Sequence, residues 1–119
     1  MSNMQPLIIS EDMIKDWNRK FSESATAGIY RSEVLKSGAA PDDIERLMGH
    51  FTEQIRSSLS TLSPSELAAM AAKRLSDIRP FTDKNKETAE ALKDFILNHY
   101  NCSQNIDGEE LFSNPIIFN

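Results

Sequence analysis

Cysteine is nearly missing from this chain of 119 residues, where Cys102 stands alone. One thiol excludes an internal disulfide framework and a cysteine-rich metal site, and it suits a reducing compartment. Long apolar runs are missing too. No stretch approaches the ~20 apolar residues of a membrane span. Met1 to Ile9 lacks the cationic start and apolar core of a signal peptide. The expected location is the cytoplasm, or a host reached through a signal of another kind. Positive charge is in deficit: 13 Lys and Arg stand against 18 Asp and Glu, for a net charge of −5. That balance leaves no basic footprint for nucleic acid or an anionic membrane. Histidine is scarce, with His50 and His99 the only two, which narrows the choice of a general base. The length allows one domain with a modest core, and nothing in the sequence fixes an oligomeric state.

What is present is helical periodicity. Ser10 is a suitable N-cap for a helix from Glu11 to about Phe21, with Glu11 and Asp12 in the favourable first turn. Met13, Ile14, Trp17 and Phe21 fall near one face. Ser22 to Thr26 reads as a loop. Ala27 to Ala40, bracketed by Gly28 and Gly38, is short and rich in β-formers, so an extended segment or small β-hairpin is expected. Pro41 opens a helix to about Leu59, whose stripe is Ile44, Leu47, Met48, Phe51 and Ile55. Ser63-Pro64-Ser65-Glu66 is a capping box. The helix it starts runs to about Asp77 and carries Ala68, Ala69, Ala71 and Ala72, small enough for close helix approach, with Leu67, Leu75 and Ile78 supplying bulk. Lys84 to Tyr100 reads as a further helix with Thr88, Ala91, Leu92, Phe95, Ile96 and His99 on one side. Leu47, Met48, Phe51, Ile55, Leu75, Phe81, Leu92, Phe95 and Ile96 are the expected core. The tail from Asn101 to Asn119 is irregular, yet Leu111, Phe112, Ile116, Ile117 and Phe118 suit packing back or meeting a partner. The expected fold is a mainly all-α bundle with a small β-hairpin. It forms a single domain over residues 1–119: an N-terminal helix within 1–26, a core at about 27–100, and a C-terminal tail at 101–119.

Between the last two helices lies Ile78-Arg79-Pro80-Phe81-Thr82-Asp83-Lys84-Asn85-Lys86-Glu87-Thr88-Ala89-Glu90. Pro80 stops one helix, and Asp83 can cap the next. A loop feeding a helix N-terminus is suited to anions, because free N–H groups and the helix dipole point there. The stretch resembles the signature of Fic/Doc proteins, HxFx(D/E)GNxRxxR, at Pro80, Phe81, Asp83 and Asn85. It departs at Arg79 in the histidine place, Lys84 in the glycine place, and Glu87 and Glu90 in the two arginine places. Gly28-Ile29-Tyr30-Arg31 resembles the Gly-x-Tyr-Arg that leads into the family's flap hairpin. The likeness runs from about Ala27 to Tyr100. It implies a Fic-like helical bundle with a β-hairpin flap, and a bacterial setting.

The family moves AMP, or another phosphate-bearing group, from a nucleotide to a protein hydroxyl, with the motif histidine as general base. A base needs a pKa near working pH. Arg79, with a pKa above ~12 and no acceptor, cannot take the proton; it can bind phosphate or serve as an ordinary surface arginine. His99 lies ~22 Å along its helix from the loop. His50 sits off the apolar stripe, where a solvated side chain belongs. Neither replaces the base. Asp83 stands where the family holds magnesium against the nucleotide, and carboxylate oxygen suits that cation; a helix cap explains it equally well. Asn85 stands at the family's phosphate-contacting asparagine. Lys84 and Lys86 make the loop more cationic, and with Asp83 and Asn85 they are the candidate nucleotide or anion ligands. Glu87 and Glu90 stand where arginines hold phosphates. Each carboxylate ~4 Å from a phosphate would cost ~4 kcal/mol at an effective dielectric of ~20.

The resemblance with these departures gives an expected function: a degenerate Fic fold that lacks AMP transfer and binds a protein partner through the flap and the old active-site groove. The flap candidates are Arg31, Ser32, Glu33, Val34, Leu35 and Lys36, where a hairpin edge could take an extended peptide by strand addition. No cofactor is expected, with magnesium and ATP only if activity persists. Two alternatives stand beside it. One is a Fic-type transferase with altered chemistry that uses Lys84, Lys86 and Asp83 on protein hydroxyls. The other is a regulator or antitoxin-like partner of an active Fic protein.

Overall fold

Side-chain caps set the first boundaries. The Ser10 hydroxyl accepts the Met13 N–H at 3.2 Å and starts α1, Glu11–Phe21, with Arg19 and Lys20 at its far end to complement the dipole. Pro41 opens a single 3₁₀ turn, Pro41–Asp43, and the regular helix α2 follows at Ile44–Ser57. Both halves of the Ser63 capping box are made: Glu66 N–H to the Ser63 hydroxyl at 3.2 Å, and Ser63 N–H to the Glu66 carboxylate at 3.0 Å. They start α3, Pro64–Ile78. The last helix, α4, spans Asn85–Gln104. The structure, a computed structural model, describes residues 6–104. Of the tail expected at 101–119, residues 101–104 continue α4, and the rest lies outside the described residues. The described residues hold four α-helices and no strand. None of the helices is long and apolar enough to cross a membrane.

Helix α3 packs most extensively on α4, with α1 on α4 and α2 on α3. Ala68 and Ala71 are buried beside Leu67, Leu75 and Ile78, so α3 presents a thin face where α4 can approach closely. The facing stripe of α4 is Asn85, Thr88, Ala89, Leu92 and Ile96, all buried. Ile44, Met48, Phe51 and Ile55 close the core from α2, and Ile14 from α1.

Three expectations are corrected here. Phe95 is 37% exposed, because the centre of the buried stripe runs through Leu92 and Ile96 and leaves Phe95 at its edge, against Trp17 at 5.3 Å between ring centroids. Leu47 is half-buried at the rim of the α2 stripe. The hairpin expected between Gly28 and Gly38 is absent, and residues 28–40 form an irregular loop. The backbone N–H of Arg31 donates to Pro80 O at 2.9 Å, and that of Ala39 to Ile78 O at 3.0 Å. These two amides are thus satisfied on the end of α3 and the loop that follows it, where no strand is available to pair with the segment.

Candidate functional site

The loop 79–84 joins α3 to α4, and left-handed backbone stands at both of its ends. Arg79 (φ +50) ends α3 and Lys84 (φ +60) precedes α4. Side chains in this region are strained relative to glycine. Between them Pro80 and Phe81 are buried, and the Phe81 ring lies 5.7 Å from the Tyr30 ring.

Four groups hold the loop in place. Arg31 is only 3% exposed. Its Nε donates to Arg79 O at 2.6 Å, its Nη2 to Ala39 O at 2.6 Å and Ile78 O at 3.3 Å, and its Nη1 to Glu33 O at 2.8 Å. Burial pushes its pKa below the ordinary arginine value; Glu33 works the other way, and Arg79 adds to the lowering. Its partners are carbonyl oxygens, which suit the planar fork of an arginine. Gly38 is required beside it: a Cβ there would sit 2.9 Å from Arg31 Nη2 and 3.0 Å from Ile78 O.

Asn85, 6% exposed, is the second group, and both ends of its side-chain amide are bonded to the backbone of Phe81. The third is Asn18, whose Nδ2 donates to Asp83 O at 3.0 Å and to Thr88 Oγ1 at 3.2 Å. Its Oδ1 accepts the N–H of Gly28 at 2.8 Å, where φ is +74. The fourth is Ser22, whose hydroxyl donates to Asp83 Oδ1 at 2.6 Å. Asp83 thus bonds sideways to α1's C-cap, where a cap on α4 was expected. Thr82 meets Thr26 at 3.2 Å and the Glu33 carboxylate at 3.4 Å.

The sequence candidates divide accordingly. Arg79, Asp83, Lys84, Lys86, Glu87 and Glu90 are exposed on the loop and the first turns of α4. Asn85 faces inward with its amide used. Of the flap candidates, Ser32, Glu33, Val34 and Lys36 are exposed and Leu35 is half-buried, whereas Arg31 lies beneath the loop with its guanidinium occupied. Asn18 and Ser22 were missed. The signal for Asn18 was its place one turn after Ile14 on the apolar face of α1, where a polar side chain needs a buried partner.

Asp83 is the single carboxylate of the loop, and Ser22 already takes its Oδ1. Among the described residues no group of three His, Cys, Asp or Glu is placed to hold a metal ion. A magnesium ion at Asp83 would therefore take its remaining oxygens from water or from a nucleotide. Elsewhere, the Tyr30 hydroxyl donates to Glu11 Oε1 at 2.5 Å. Burial above all, then this bond and the nearby charges of Glu11, Asp12 and Glu45, raises the Tyr30 pKa beyond the ordinary phenol value.

The sequence pattern of the Fic/DOC family matches residues 8–97. A 76-residue stretch is 41% identical to the protein adenylyltransferase Fic of Nematostella vectensis, and takes in 60% of this chain and 18% of that protein. The chain thus spans under a fifth of that relative's length. A crystal structure of a Fic-domain-containing signaling protein from Bacteroides thetaiotaomicron superposes with a TM-score of 0.70 at 28% identity, covering 78% of this chain and 40% of the other.

Proposed function

The chain belongs to the Fic/DOC family, and from that premise we propose that it is a family member which has given up AMP transfer and acts by binding a protein partner. One observation carries the reading. The exposed surface that runs from the loop onto α4 presents Arg79 in the motif's histidine place, and Glu87 and Glu90 in its arginine places. An arginine has no lone pair with which to take a proton from a hydroxyl. Two carboxylates repel the phosphates that two arginines would hold. The Asn85 amide is bonded at both ends to Phe81 and only 6% exposed, so it is held inward, away from a phosphate on the surface of the loop.

Binding is supported by what the same side exposes. Val34, 79% exposed, and Ile29 stand out from the loop 28–40 beside Ser32, Glu33 and Lys36. Apolar groups held out on a pinned loop suit contact with a protein. Because no strand forms there, the contact is through side chains rather than strand addition.

The test is calorimetry with magnesium and ATP together with a transfer assay using labelled ATP. Both are run on the natural chain and on the combined variant Arg79→His, Lys84→Gly, Glu87→Arg, Glu90→Arg. The natural chain is expected to take up no label and bind no nucleotide, while the variant gains binding first. Micromolar Mg-ATP binding and labelling of a protein hydroxyl by the natural chain would overturn the reading. The outcome would favour a transferase that uses Lys84, Lys86 and Asp83, in line with the adenylyltransferase name of the Nematostella relative.

A further inference from the structure

Between α1 and α4 runs an open groove of about 520 Å³. Trp17, Phe21 and Phe95 line its apolar part, and Glu87, Glu90 and Asp94 its acidic part. Phe21 and Phe95 are 42% and 37% exposed, so two of the five exposed large apolar side chains among the described residues lie in one cleft. The Trp17 and Phe95 rings pack at 5.3 Å, which gives the floor a fixed shape. Three carboxylates face a single ammonium, Lys86, within the cleft. Lys93 approaches Glu90 only to 3.9 Å.

We infer that this groove docks a basic amphipathic segment of a partner protein. Its apolar side chains would fill the aromatic floor, and its lysines or arginines would meet Glu87, Glu90 and Asp94. The inference rests on the proposed binding function and gives the partner its chemistry. Charge decides between occupants. The chain's own residues 105–119 contain Asp107, Glu109 and Glu110 and no Lys or Arg, so that segment carries the sign of the groove and is repelled. A second copy, at net −5, approaches against the same field. An anionic membrane or a nucleic acid is repelled likewise. A cationic side chain gains twice: from the carboxylates, and from the faces of the exposed aromatic rings.

Trp17 is the only tryptophan in the chain, so its fluorescence reports on the groove directly. The probe is an amphipathic peptide of leucine and lysine, with a leucine–glutamate peptide of equal length as control, added to the full chain. The leucine–lysine peptide is expected to shift Trp17 emission saturably and less tightly as salt rises; the glutamate peptide leaves emission unchanged. Reversing the rim with Glu87→Lys and Glu90→Lys weakens binding by at least about tenfold, since like charges across an interface are strongly unfavourable. Phe21→Ser also weakens it, and Glu53→Lys, on α2, leaves it intact. Circular dichroism of each variant confirms that the helices persist. The inference is overturned if the two peptides bind alike, if Glu53→Lys acts as strongly as the groove changes, or if no emission shift occurs. It is also overturned if emission of the free chain depends on its own concentration, which makes a second copy the occupant. Dependence on Phe112→Ser and Phe118→Ser would instead make the tail the occupant. Labelled ATP, run in parallel, separates the two readings: label transfer defeats the binding function itself, whereas silence from both peptide and nucleotide defeats only the groove.

Discussion

Asn85 and Phe81 close a ring on one another. The Asn85 carbonyl accepts the Phe81 N–H at 2.9 Å, and its amide donates to the Phe81 carbonyl at 2.8 Å. The helix that begins at Asn85 is thereby tied to the loop before it, and the ring is buried. Asn85→Asp replaces the donor with a carboxylate facing a carbonyl. It is expected to cost about 2–4 kcal/mol in urea unfolding, the range for leaving buried polar groups unsatisfied beside a charge. A loss below about 1 kcal/mol would show that the ring contributes little.

Arg31 donates through its side chain to four carbonyl oxygens. Arg31→Lys keeps the charge but loses the planar fork, and an ammonium whose donors all sit on one nitrogen cannot serve carbonyls spread around a guanidinium. Its expected cost is about 2–4 kcal/mol. Hydrogen exchange should report it locally, with the Ala39 amide losing protection before those of α2.

Phe51 and Phe95 look alike in the sequence, each on an apolar stripe, and differ in the fold. Phe51 has no exposed surface and Phe95 is 37% exposed. Phe51→Ala is expected to cost about 3–5 kcal/mol and Phe95→Ala less than half of that, because only the first opens a cavity. Equal losses in thermal unfolding would mean that Phe95 belongs to the core.

Tyr30 gives a pH dependence with a definite sign. Its folded pKa is raised above the ordinary phenol value. The neutral phenol is thus favoured by the fold, and its contribution is fully present below the unfolded pKa of about 10. Above that pH the unfolded chain releases a proton that the folded chain keeps, so stability falls, by up to about 1.4 kcal/mol per pH unit from this group. Tyr30→Phe is expected to be less stable near neutrality, through loss of the bond to Glu11, and to decline less steeply above pH ~10. Parallel curves for the two proteins would refute the assignment.

The helices were legible because their signals are local. Ser10, Ser63 and Glu66 cap as their spacing predicts, and the α2 stripe holds at Ile44, Met48, Phe51 and Ile55. The motif loop was placed correctly between α3 and α4. The hairpin, the exposed Phe95 and the inward turn of Arg31 were not legible. Each depends on a partner far along the chain: Pro80 O for the Arg31 amide, Trp17 for Phe95, Arg79 O for the guanidinium. Periodicity reports which face of an element is apolar and is silent on where a long polar side chain finds its acceptors.

The loop that carries the motif is also the turn of a helical hairpin, since α3 and α4 meet across only six residues. This has a kinetic meaning. Contacts between neighbours in sequence form with little loop-closure entropy, and they set the rate in helical proteins. The α3–α4 pair can therefore dock first and shape the loop before α1 arrives. Asn18, which reaches Asp83 across 65 positions, and Arg31, which reaches Arg79 across 48, would lock it afterwards. Truncations at Leu75 and Leu92 should then slow folding, with φ-values above about 0.5, while Asn18→Ala and Arg31→Lys mainly speed unfolding.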